Sequence, residues 1–175
     1  MNKGFVVWFT GLPCSGKTTL ALALEKCLQA EGRTVLRLDA DEIRKRFWPE
    51  LGFSREDRDK NIQRFAQLAN LLKEQGIIAI VAVISPYRST RDEARKLIGE
   101  FVEVYVKCPV EECARRDVKG MYKKAYAGEI TQFTGVSDPY EEPLSPEITV
   151  ETDKAMPAQC IEEIMARLKE LKHLP

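Results

Sequence analysis

Histidine is almost missing from this 175-residue chain: His173, close to the C-terminus, is the only one. The cysteines, Cys14, Cys27, Cys108, Cys113 and Cys160, are odd in number and form no paired CxxC units. Together these absences argue against a structural zinc site or a disulfide framework. Charge of one sign is also lacking, because 27 basic residues balance 27 acidic ones and no long like-charged block occurs. A protein that coats nucleic acid or an anionic membrane would carry such an excess, so any anion site must be local. No apolar stretch approaches transmembrane length, and residues 1–4 lead into an apolar run without a signal pattern. The expectation is a soluble, cytoplasmic protein with no membrane or nucleic-acid partner. Repeats and low-complexity linkers are absent too, and this length predicts one domain over residues 1–175 with a substantial core.

What is present is a phosphate-binding signature. Gly11, Leu12, Pro13, Cys14, Ser15, Gly16, Lys17 and Thr18 match the spacing Gly, four residues, Gly-Lys-Ser/Thr, and Thr19 extends the segment. Glycines let the backbone wrap so that N–H groups point at phosphate oxygens, and the following helix adds its positive end. Lys17 is expected to reach the outer phosphates, and Thr18 to offer its hydroxyl to Mg²⁺. The flanks pass the context test for the motif. Residues 5–9 form a buried-strand run, and leucines and alanines recur at helical spacing over 20–28, with Gly32 as the stop. Cys14 reads as a small loop filler, with a redox-sensitive thiol as the alternative.

Further strands are predicted over 34–38, 77–84, 101–106 and 148–150, and helices over 40–47, 55–75, 90–98, 110–116 and 157–171. This alternation predicts an α/β three-layer sandwich of the P-loop NTPase type, with a five-stranded, mostly parallel sheet covered by helices on both faces. Ligands bind such sheets at the carboxyl ends of the strands. Residues 119–146 break the pattern: they lack apolar periodicity and are long for a connection, which predicts a lid.

The polar residues at strand ends are therefore the candidates. Asp39 and Asp41 follow the second strand and could hold Mg²⁺ and orient an acceptor hydroxyl; the bland alternative for Asp41 is a helix N-cap. Arg44, Arg58 and Arg88 follow strands, and Arg115, Arg116, Lys119, Lys123 and Lys124 put five cations within ten residues, offset only by Asp117. Such clustering implies phosphate or sulfate. Phe53 and Phe133, aromatics in polar segments, could stack a flat base or simply pack.

Several blocks together resemble the adenylylsulfate kinases. They are residues 38–44 (Leu-Asp-Ala-Asp-Glu-Ile-Arg), 52–58 with Asn61 and Ile62, 84–88 (Ile-Ser-Pro-Tyr-Arg), and the lid from Arg116 through Phe133 to Pro143. The resemblance covers nearly the whole chain, and the lid block is its most specific part. It implies transfer of the γ-phosphoryl group of Mg·ATP to the ribose 3′-hydroxyl of adenosine 5′-phosphosulfate, giving 3′-phosphoadenosine 5′-phosphosulfate and ADP. By resemblance, Phe53 and Phe133 sandwich the substrate adenine, and Arg44, Arg58 and Asn61 hold its phosphosulfate and ribose. Ile84 and Ser85 line the pocket, Lys119 and Lys123 close from the lid, and Arg115 lies against the adenine of ATP. Asp39 and Asp41 place Mg²⁺ and the hydroxyl. The family describes a phosphoenzyme at the position of Ser85, although in-line transfer needs only positioning and charge stabilisation. A homodimer and an association with ATP sulfurylase are implied as well.

Two positions depart from the family pattern: Ala40 and Glu42 stand where it has Gly and Asn. Glu42 brings a negative charge towards an anionic substrate, unless it turns outward to a cation such as Lys45 or Arg46. Residues 45–49 also depart from the usual small-residue stretch. Two other readings stay open, a kinase for a different acceptor and a non-catalytic module that regulates a sulfurylase.

Overall fold

In the computed structural model, which describes residues 4–175, β1 (Val6–Thr10) is the central strand of a parallel sheet. β3 (Ile78–Ala82) and β4 (Phe101–Lys107) flank it. β2 (Val35–Asp39) lies outside β3, and β5 (Ile148–Glu151) lies outside β4. Residues 1–3, part of the expected entry to the first strand, lie outside the described residues.

Every residue of β1 and β3 is buried, because helices cover both faces of the sheet; this is why these strands read as continuous apolar runs. On one face Val7, Phe9, Ile80 and Val104 pack under α1 (Lys17–Ala30) and α7 (Pro157–Glu170). On the other, Val6, Trp8 and Val81 pack against α3 (Arg55–Glu74) and α4 (Arg88–Ile98). Ser54 starts α3 by accepting from the Asp57 N–H at 3.2 Å, and Pro157 starts α7 where its missing N–H costs nothing.

The pairing sets Asp39 and Ala82 level with Phe9, and Tyr105 level with Thr10, at one edge of the sheet. Loops from four strands thus converge over the central strand, where connections depart to both sides. α2 (Ala40–Phe47) and α5 (Val110–Arg116) continue from that edge. One helix went unanticipated: α6 (Met121–Tyr126) lies inside segment 119–146. Its six residues bury only Tyr122 and Ala125, too few positions to register as apolar periodicity.

Candidate functional site

The loop after β1 has the geometry its glycines require. Gly16 sits at φ 105°, and Cys14 shares the left-handed region at φ 62°. A Cβ on Gly11 would come within 2.6 Å of the Val106 carbonyl oxygen, so only glycine lets the loop lie this close to β4. No side chain caps α1, so its leading N–H groups are available to a ligand. The buried Lys17 ammonium donates to the Gly11 carbonyl at 2.9 Å and the Leu12 carbonyl at 2.6 Å. Burial pushes its pKa down to about 8.

Thr18 Oγ1 donates to Asp39 Oδ2 at 2.8 Å, joining the loop to the end of β2. Asp39 is buried, and its other oxygen accepts from the Asp41 N–H at 3.0 Å. Asp39 is therefore the N-cap of α2, the job the sequence offered to Asp41. Asp41 instead stays exposed and pairs with Lys119 of segment 119–146. Arg37 approaches Asp39 at 3.5 Å and Glu25 at 3.2 Å. Glu42 turns towards Arg37 at 3.7 Å rather than towards Lys45 or Arg46, which places its charge on the Arg37 side.

Arg58 organises a second group of contacts. Buried at the start of α3, it donates through Nε to the Phe53 carbonyl at 2.8 Å and through Nη1 to Thr134 Oγ1 at 2.5 Å. Nη2 donates to the Gln132 carbonyl and lies 3.3 Å from Asp138. One guanidinium thus clamps together the two segments that carry Phe53 and Phe133. The Phe53 ring is exposed, with the Arg44 guanidinium 4.4 Å from its centre, while Phe133 stands edge-on to Tyr122 at 4.9 Å. Arg44 itself donates to the Leu51 and Gly52 carbonyls. Asn61 is buried and accepts from Trp48 Nε1 at 2.8 Å.

Ser85 follows β3 with φ 43° and is 1% exposed. Its hydroxyl accepts from Trp8 Nε1 at 3.1 Å and donates to Thr10 Oγ1 at 3.0 Å, so its proton and one of its two lone pairs are in use. Thr10 also donates to the Ile84 carbonyl at 2.7 Å and meets the Tyr140 hydroxyl at 2.9 Å. Ile84 is half-buried beside them.

Two expected residues stand apart from this cluster. Arg115 is exposed and pairs with Glu112 at 2.7 Å, and the Lys123 side chain is exposed. Arg116, next in the chain, is the one tied to the phosphate loop, reaching the Cys14 and Ser15 carbonyls at 3.5 Å and the Thr152 carbonyl at 2.7 Å. Thr152 in turn donates to the Ser15 carbonyl at 2.7 Å, and Tyr122 to the Pro13 carbonyl at 3.0 Å. Sequence reading missed Thr152, Tyr122 and Tyr140 as supports of the site. Isolated hydroxyls carry no local signal, since their partners arrive only by folding. A cavity of about 440 Å³ lies between Leu12 of the loop and residues 135–140 with Glu142 of segment 119–146. Among the described residues, no helix is long and apolar enough to cross a membrane.

Known proteins resemble this chain in sequence and fold. The family model described as adenylylsulphate kinase matches residues 3–151. The chain is 49% identical to the adenylyl-sulfate kinase of Picosynechococcus sp., over 99% of this chain and 98% of that one. Against the adenylyl-sulfate kinase of Clostridium acetobutylicum the figures are 51%, 99% and 87%. Among solved structures, the APS kinase of Mycobacterium tuberculosis in complex with AMPPNP and APS aligns with a TM-score of 0.92 at 39% identity, covering 97% of this chain and 99% of that one. Agreement at this level reaches well past the phosphate loop, and the chain belongs to the adenylylsulphate kinase family.

Proposed function

We propose that this chain transfers the γ-phosphoryl group of ATP to the 3′-hydroxyl of adenosine 5′-phosphosulfate, releasing 3′-phosphoadenosine 5′-phosphosulfate and ADP. The observation that carries it is the Arg58 clamp: it ties the segment that carries Phe53 to the segment that carries Phe133, whose ring packs in one cluster with Leu12 and Cys14 of the phosphate loop. A flat base between two rings and a triphosphate in the loop are the two ligands that such walls suit.

Residues 11–19 wrap the ATP phosphates with backbone N–H groups, and Lys17 moves from the loop carbonyls to the outer phosphates. The hard oxygens of Thr18 and Asp39, 2.8 Å apart, suit Mg²⁺. When bound there, Mg²⁺ would offset charge on the transferring phosphoryl group. Asp41 orients the acceptor hydroxyl, which requires it to exchange its Lys119 partner for substrate. Arg44, Arg58 and Asn61 bind the phosphosulfate and ribose, with Ile84 and Ser85 against the sugar. Lys119 and Lys123 close over the anions from a lid at residues 119–146, and Arg115 swings from Glu112 to the ATP adenine. Ser85, 1% exposed and tied by its hydroxyl to Trp8 and Thr10, is read as a wall of the acceptor site, with transfer direct because an in-line step needs only positioning and charge stabilisation. The reading extends to one kinase domain over residues 1–175, a cytoplasmic homodimer, and functional association with ATP sulfurylase.

The test is ADP release from Mg·ATP, with and without adenosine 5′-phosphosulfate, using AMP, shikimate and gluconate as control acceptors. Release that depends on the phosphosulfate alone is expected. Release with another acceptor, or none despite ATP binding, would overturn the assignment.

A further inference from the structure

Arg91 lies on α4 and is 2% exposed. Its guanidinium meets three partners from three parts of the chain. Nε lies 2.9 Å from Glu103 on β4, Nη1 donates to the Ser85 carbonyl at 2.5 Å, and Nη2 donates to the Glu141 carbonyl at 2.5 Å. Glu103, also buried, is the counter-charge that permits a guanidinium here, and Arg95 braces it at 3.2 Å.

The two carbonyls matter more than the ion pair. One belongs to Ser85, a non-glycine residue in the left-handed region, a conformation that persists only where its surroundings hold it. The other belongs to the returning end of segment 119–146, which meets the β3–α4 loop again where the Glu141 N–H donates to the Pro86 carbonyl at 2.8 Å. The Tyr140 ring lies 5.7 Å from the same guanidinium, and its hydroxyl reaches Thr10, the partner of the Ser85 hydroxyl. Ser85 and the segment's end are thus held to each other through one planar fork of donors.

Resting on the acceptor proposed above, we propose that Arg91 is a positioning residue for that acceptor: it fixes the Ser85 wall of the pocket relative to the root of the lid. Lysine keeps the charge opposite Glu103, but its donors radiate from one nitrogen and cannot reach the Ser85 and Glu141 carbonyls as two separate guanidinium nitrogens do. A residue that merely fills α4 would show no such dependence on the fork.

The experiment compares wild type with Arg91→Lys in steady-state kinetics, nucleotide binding and amide hydrogen exchange. Expected is a rise of roughly tenfold or more in KM for adenosine 5′-phosphosulfate, because a small misplacement of the pocket wall costs orientation. The ATP dissociation constant without acceptor should stay within about twofold, since Arg91 touches no part of the loop. Exchange should quicken at residues 84–87 and 140–143 while α1 and β1 keep their protection. Wild-type kinetics in Arg91→Lys, or parallel loss of ATP and acceptor binding with exchange rising throughout, overturns the proposal. Should Arg91→Lys fail to fold, the double variant Arg91→Gln/Glu103→Gln, which removes the fork without leaving Glu103 buried and unpaired, must show the same selective pattern; a uniform effect there is equally fatal. If the wild-type protein ignores the phosphosulfate, the acceptor assignment falls. The exchange data then still decide whether Arg91 couples the two segments.

Discussion

The phosphate loop and segment 119–146 meet at one cavity but are held by different means. The loop hangs between a fully buried strand and a helix, and its shape comes from backbone: φ values at Gly16 and Cys14, and a contact at Gly11 that leaves no space for a Cβ. The segment has one short helix and is fastened from outside by side chains that reach its backbone, Arg58 at Gln132, Arg91 at Glu141 and Arg88 at Glu142. Backbone N–H groups suit phosphates, which are alike in every nucleotide, whereas side-chain clamps can be changed singly to suit an acceptor. The comparison teaches that donor binding and acceptor choice can be damaged separately.

The largest separation is expected from Lys17→Ala, which removes the loop's ammonium and leaves the acceptor wall intact. Turnover should fall by about 10²–10³ or more, with the circular dichroism spectrum unchanged. Unchanged turnover would remove the loop from the chemistry. Next comes Arg58→Lys, which breaks the clamp between the two aromatic segments. Loss of a buried, multiply bonded guanidinium should lower kcat/KM for the acceptor by roughly two orders of magnitude. Calorimetry should find ATP binding without acceptor nearly unaffected, and equal damage to both ligands would mean that the clamp serves donor and acceptor alike.

A third effect is confined to the loop and appears in pH. Burial lowers the Lys17 pKa to about 8 from 10.5, and bound phosphates favour its charged form. Above about pH 8 the free protein must take up a proton to bind ATP, so affinity should be flat below that pH and fall above it, by at most about tenfold per unit. For stability the sign is opposite. The unfolded chain holds the Lys17 proton more tightly, so this residue's cost to the unliganded fold is relieved between pH 8 and 10.5. A pH-independent ATP affinity up to 9.5, measured by titration calorimetry, would contradict this. The smallest effect belongs to Glu42→Asn. An exposed carboxylate 3.7 Å from Arg37 contributes well under about 1 kcal/mol, so acceptor KM should stay within about twofold or improve. A sharp rise in KM would give Glu42 a role at the rim.

Much of the molecule was legible from the chain alone, because the relevant physics is local. Glycine spacing at 11–16, the apolar run before it and the helical period after it depend on neighbours a few residues away, and each stands where it was expected. Alternating runs likewise dictated a parallel sheet with the candidate residues at its carboxyl edge. Blocks along the whole chain pointed to the adenylylsulphate kinase family, to which it belongs. Only the tertiary structure decided which of two aspartates caps α2 and which faces Lys119, which of two adjacent arginines reaches the phosphate loop, and where Glu42 sends its charge. The same holds for Arg91: its bond to Glu141 spans 50 residues, as the Arg58 bond to Thr134 spans 76. Long polar side chains have no periodicity to betray their direction. Their partners are set by whichever distant backbone the packed sheet and helices bring within about 3 Å.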